Sequence, residues 1–322
     1  MAKTKIEWTG TPLRDGGVAP GYTWNPWIGC AKVGHGCDNC YAQRLMDTRY
    51  GRVKWGPGRE RVRTSKAYWR QMWLWNRRNF WCPVCECWTT GPCNAEPTRC
   101  HCGKEHLIGP LRPKVFIGSL CDWLDDEVPI EWFADLMWVL KKTPNLDKLL
   151  LTKRAGNWPG RMDAVLHYFA CHPPGLGWAF AKDWRDWPTA GPGARVFQEP
   201  IWVGSSFSIE SDKYGYEMWN RELMRRIPAK IHFGSLEPML APALFEGAPL
   251  DWLIIGGESG PGARFCDPNW IMQAVKRCQE DNQPVFVKQF GSNCGLNLKD
   301  PKGGDMAEWP EWARVREWPQ ER

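Results

Sequence analysis

Seven short apolar runs, each closing on a glycine, serine or charged residue, set the strongest limit on what this chain can fold into. They occupy 23–29, 114–119, 148–154, 201–206, 230–237, 252–259 and 284–289. Their apolar residues are continuous rather than alternating, which marks strands buried on both faces of a parallel sheet. Amphipathic stretches lie between them. Pro129 opens one, with Ile130, Phe133, Met137 and Leu140 on a single face. Another covers 209–226, and a third has Asp267 as N-cap, Pro268 next, and Ile271, Ala274 and Val275 inward. Alternating β and α units predict an α/β fold with a parallel sheet. Polar residues just past the strands fit a (β/α) barrel, partial or complete, whose site lies at the C-terminal mouth. The expected core is 1–50 plus 114–295. It is interrupted at 51–113 by an inserted module, basic and then Cys-rich, and followed by a loosely held polar tail at 296–322. Residues 172–198, rich in Pro, Gly and Trp, read as a loop.

No run of about 18 apolar residues is present, so no membrane span is expected. The N-terminus has no apolar signal core, which predicts a cytoplasmic protein with reduced thiols. In that setting the 14 cysteines read as metal ligands rather than disulfides. A net charge of +6 is compatible with a polyanionic partner.

Cys30, Cys37 and Cys40 follow the first strand as C-x6-C-x2-C. Gly29, Gly34 and Gly36 permit the turns that bring three thiolates to one centre. Three thiolates leave one iron of a [4Fe–4S] cluster open to the amino and carboxylate groups of S-adenosylmethionine (SAM). A zinc site completed by His35 or a distant residue, or plain buried thiols, are the alternatives. A three-Cys loop after the first strand of a βα series is similar to the radical-SAM arrangement, whose usual spacing is C-x3-C-x2-C. Gly256-Gly257-Glu258 likewise resembles the phrase such enzymes use for the SAM amino group, with a Gly-rich turn as the alternative.

Further candidates sit at other strand ends. Ser119 and Asp122 follow the second strand, where that SAM contact normally lies. Ser205 and Ser206 are placed for ribose hydroxyls, and Glu237 for a ribose or the substrate. Lys153, Arg154 and Lys288 suit a phosphate or carboxylate, against plain solvated charge. Cys121 is a candidate hydrogen-atom donor or fourth ligand, against a buried thiol. Cys121, Glu237 and Lys288 form the catalytic set.

Cys82, Cys85, Cys87, Cys93, Cys100 and Cys102 crowd into one short stretch, beside His101 and His106. A structural zinc is the plain reading, and paired knuckles favour Cys82, Cys85, Cys100 and Cys102 as its ligands. An auxiliary Fe–S cluster competes with it. Arg59, Arg61, Arg63, Arg70, Arg77 and Arg78 would serve as phosphate contacts or as a solvated basic face.

The phrases WNPWIGC at 24–30, GCDNCYA at 36–42, LTKR at 151–154, SLEP at 235–238 and GGESG at 256–260 together resemble the phage Gp37/Gp68 family. The resemblance covers most of the chain outside the insertion and tail. It implies a radical-SAM-like barrel enzyme, phage-encoded and working in the host cytoplasm. It further implies an isomerase acting on an amino-acid-modified thymidine during DNA hypermodification. The partners would be phage DNA or a modified nucleotide, and an external electron donor such as flavodoxin. A zinc-stapled nucleic-acid-binding protein without catalysis is the alternative. A metal-dependent hydrolase is disfavoured because the six histidines are scattered.

Overall fold

The apolar runs pair with one another in chain order. The computed structural model describes residues 4–90, 107–171, 200–208, 216–243 and 250–320. Its main sheet holds β1 (Tyr22–Trp24), β2 (Lys114–Ile117), β3 (Asp147–Thr152), β4 (Ile201–Phe207), β5 (Ile231–Leu236), β6 (Trp252–Gly256) and β7 (Val285–Gln289), in sequence order. Every neighbouring pair is parallel. The sheet curls into a half-barrel flanked by helices, as the βα alternation predicts. All seven strand C-termini therefore point to one mouth.

Four helices matter here: α1 (Ile130–Lys142), α2 (Trp158–Cys171), α3 (Tyr216–Met224) and α4 (Pro268–Glu280). The start of α4 follows from its sequence. The Asp267 carboxylate accepts the Asn269 N–H at 2.8 Å, and Pro268 takes the first helical position, where no N–H is needed. Alternation along the strands splits the apolar residues between two faces. Val115, Ile117, Leu150 and Val203 pack with Phe133, Leu136 and Met137 of α1. Leu253, Ile255, Val285 and Val287 pack with Ile271, Ala274 and Val275 of α4. The other face carries an aromatic plug of Trp8, Phe116, Trp202, Phe233, Trp252 and Phe286.

Trp252 holds the middle of that plug. Its ring lies 6.0 Å from Trp202, 5.8 Å from Phe233, 6.2 Å from Trp8 and 6.3 Å from Phe286. Its indole N–H donates to the Glu317 carbonyl at 2.8 Å, so the buried polar atom is satisfied.

Two organisational expectations are corrected. The tail is not loosely held. Val287 N–H donates to the Val315 carbonyl and Glu317 N–H to Val285, both at 2.9 Å, which covers the free edge of β7. Trp309 and Ala313 are buried there, so the tail's few apolar residues outweigh its polar majority. Nor does the described part of 51–113 stand apart as a module. Val62–Arg63 pairs antiparallel with Trp27–Ile28, and Trp69, Met72 and Trp75 share the core of Trp24. Tyr22 stacks on Trp75 at 4.3 Å. Arg61 is no phosphate contact, because it is buried and bonded to Asp125 at 2.7 Å. The first strand is shorter than its apolar run because Pro26 offers no N–H to the ladder, and the chain leaves the sheet there. Among the described residues no helix is long and apolar enough to cross a membrane.

Truncating Trp252 tests the plug. Trp252→Ala should lower the unfolding free energy by about 3–5 kcal/mol in a denaturant titration. A loss below about 1 kcal/mol would show that the rings do not pack as described.

Candidate functional site at the sheet mouth

Period-two alternation carries the plug-bearing face up to the mouth. From Trp202 it continues through Gly204 to Ser206, and from Phe233 through Ser235 to Glu237. From Trp252 it runs through Ile254 to Gly256, where the register against β7 shifts, and from Phe286 to Lys288. Ser206 stands beside Ser235 in register. The Lys153 ammonium donates to Ser206 Oγ, and the Lys288 ammonium to a Glu237 carboxylate oxygen. Ser205 belongs to the opposite face, where its Oγ accepts the Asn220 amide of α3 at 2.7 Å.

The cysteine loop lies across this mouth. Gly29 begins it with φ +115°, a left-handed value that glycine adopts without strain, and any Cβ there would stand 2.9 Å from Arg61 Cδ. Gly29 also bridges to Cys121. A Cβ on Gly36 would come within 3.2 Å of Ser208 Oγ, so the loop runs close over the end of β4. Past Cys40 the chain turns helical, and Tyr41 donates its hydroxyl to the Ser119 carbonyl at 2.5 Å. Cys30, Cys37, Cys40 and Cys121 are all free thiols.

Two arginines, each held by a carboxylate at a strand end, fix the loop. On one side Asp122 Oδ1 accepts Thr152 Oγ1 at 2.7 Å and Leu124 N–H at 3.0 Å. Its Oδ2 accepts Lys153 N–H at 2.9 Å and the Arg154 guanidinium at 3.3 Å. Arg154 in turn donates to Cys30 Sγ at 3.3 Å and to the Ala31 carbonyl at 2.7 Å. On the other side Glu258 accepts Arg264 at 2.7 Å and 3.0 Å and the Asn39 amide at 3.0 Å. Arg264 reaches on to the His35 carbonyl at 2.7 Å, and Arg44 of the loop reaches back to the Pro261 carbonyl at 2.8 Å.

Burial pushes the Cys30 thiol up to about 12, although the Arg154 charge opposes it. Burial also raises Cys40 against the N–H groups of Gln43 and Ala42, and raises Cys121 well above its ordinary value, with Cys30 adding to the effect. Without a metal these sulfurs hold their protons at neutral pH. As a donor set, three unpaired thiols on one loop, with the cations of Lys153 and Arg154 beside them, suit a thiolate-ligated group. Among the described residues no group of three or more His, Cys, Asp or Glu side chains is arranged to hold one metal ion.

The remaining candidates fall out differently. Ser119 Oγ lies 3.1 Å from the Asn25 amide, which also caps the Leu120 N–H at 2.7 Å. The carboxylates of Asp122 and Glu258 are taken up in holding the loop. Gly257 is explained by packing, since a Cβ there would meet the Phe290 carbonyl oxygen at 2.0 Å. In the hairpin of Phe80–Cys82 and Cys87–Thr89, Cys82 is buried and Cys85 Sγ lies 3.0 Å from Cys87 Sγ. Cys100 and Cys102 lie outside the described residues. Sequence reasoning missed Asn25, Asn39, Asn220 and Arg264. Only the first two fall inside the motif phrases.

The Glu258 clamp carries a pH signature. Burial pushes its carboxyl up, but the Arg264 side chain and N–H and the Asn39 amide together hold it below its ordinary 4.5. The clamp's stabilisation is therefore present above 4.5 and lost as pH falls through the lower folded value. The protection factors of amides across 30–44, taken against the intrinsic exchange rate at each pH, should fall on acidification from about pH 6 to about pH 3. In Glu258→Gln they should already be low at the higher pH. Equal protection in both proteins at every pH would dismiss the clamp.

With this geometry in place, comparison adds a family but no named relative. No curated protein and no solved structure matches the chain. Over residues 3–313 it matches the model of the family described as "Protein of unknown function (DUF5131)", and the chain belongs to that family.

Proposed function

We propose that this chain is a radical-SAM-type enzyme, with Cys30, Cys37 and Cys40 holding a [4Fe–4S] cluster at the mouth of the half-barrel. The observation that carries the reading is the position of the loop: three free thiols follow β1 across the C-terminal mouth of a parallel sheet, on a loop held by two fixed arginines. A cluster is several atoms across, so its thiolates need not converge on a point as the ligands of one ion must. When bound, the cluster would supply one-electron cleavage of SAM and, through it, hydrogen abstraction.

The chain's own residues have definite tasks in this reading. Lys153 and Arg154 set positive charge beside the sulfurs, which favours thiolate over thiol. Lys288 and Glu237 share a proton-bearing contact at the mouth, where a polar group of the substrate would compete for either partner. Ser206 and Ser235 offer hydroxyls toward a ribose. The aromatic plug keeps water out of the half-barrel below them. Asp122 and Glu258 serve by holding the loop.

The substrate class belongs to the same proposal: a nucleic-acid base or modified nucleotide, with isomerisation of a modified thymidine in phage DNA as the favoured reaction. It is supported by the motif resemblance and by the net charge of +6. A flavodoxin-like donor would supply the electron. A structural zinc held by Cys82, Cys85, Cys100 and Cys102 is proposed alongside, on the crowding of cysteines in that stretch.

Anaerobic purification with iron and sulfide should give about four irons per chain, lost in a Cys30/Cys37/Cys40 triple alanine variant. Dithionite and SAM should then yield 5′-deoxyadenosine from the wild type alone. Zinc without iron, and no cleavage of SAM, would sink the reading.

A further inference from the structure

Arg154 is buried at the mouth and sits directly on a ligand sulfur. It is 8% exposed, and its guanidinium meets three partners at once: Asp122, the Ala31 carbonyl and the sulfur of Cys30. Two of the three contacts are fixed before any metal arrives. Asp122 has three further donors of its own, so it cannot swing away with the arginine. The Ala31 carbonyl is the backbone next to the ligand. The N–H aimed at Cys30 is thus preset rather than recruited.

We propose that Arg154 is a positioning residue that keeps its hydrogen bond to the Cys30 sulfur in the metal-loaded protein and thereby raises the reduction potential of the cluster. The inference rests on the cluster reading above. Its physical basis is simple. Reduction adds negative charge to the cluster and its thiolates. An N–H donor and a cation held on one ligand sulfur stabilise the reduced form more than the oxidised one. In a buried setting that interaction is screened little by solvent. Arg154 places both the donor and the charge on the Cys30 sulfur in one group.

The test is a redox titration of the reconstituted wild type, Arg154→Gln and Arg154→Lys, followed by electron paramagnetic resonance, with iron per chain and melting temperature measured on each. The glutamine keeps an N–H donor without charge, and the lysine keeps charge without the planar fork. With each potential read on the loaded fraction, the midpoint is expected to be lowest in Arg154→Gln, intermediate in Arg154→Lys and highest in the wild type. Equal iron and equal potentials would overturn the inference and leave the cluster reading standing. Should Arg154→Gln fail to fold, the comparison of Arg154→Lys with the wild type decides the matter by the same shift. A wild type that takes up no iron would overturn both the cluster reading and the inference.

Discussion

The buried Asp122 carboxylate is the contact on which the mouth depends. It follows β2, yet three of its four hydrogen bonds go to Thr152, Lys153 and Arg154 at the end of β3. A buried charge of this kind is tolerable only when it is paired and fully hydrogen-bonded. Four donors on two oxygens meet that condition. The arrangement also decides where Arg154 points. A lone arginine at a strand end would lie out in solvent, since its guanidinium is strongly polar and its stem flexible. Anchored to Asp122, it turns inward under the cysteine loop.

The loop itself has little apolar content and spans more than ten residues, so packing alone would not order it. It is held at two points by a matched device, an arginine on a carboxylate reaching a loop carbonyl: Ala31, next to Cys30, from Arg154, and His35, two residues before Cys37, from Arg264. The aromatic plug has the opposite character. It is closed, ring-packed and sealed by the tail, so strain at the mouth meets a stiff floor.

The legible part of this protein was its periodicity. Continuous apolar runs gave the strands, and Asp267-Pro268 gave the start of α4, because both signals are local. The limits were also physical. Nothing local distinguishes Arg61, buried on Asp125, from a solvated arginine, since its partner lies 64 residues away. Glu258 and Asp122 were legible as strand-end polar residues, but their partners came from loops whose approach only tertiary structure sets. Ser205 and Ser206 are adjacent, and one residue of phase sends them to opposite faces. The tail misled because its few tryptophans were outnumbered in composition while being decisive in burial.

The two halves of the mouth also explain why protonated sulfurs and fixed cations coexist there. Burial favours the neutral thiol at Cys30 and Cys40, so the metal-free protein need not bury thiolate charge. Loading a metal group removes those protons and creates charge at one stroke. Arg154 and Lys153 already stand where that charge would form, one on Cys30 and the other beside Cys40. Their own burial is offset meanwhile by Asp122 and Ser206, which ask for no change when the sulfurs ionise. On the cluster reading, the charge that would compensate the thiolates is thus built into the fold before any metal group binds.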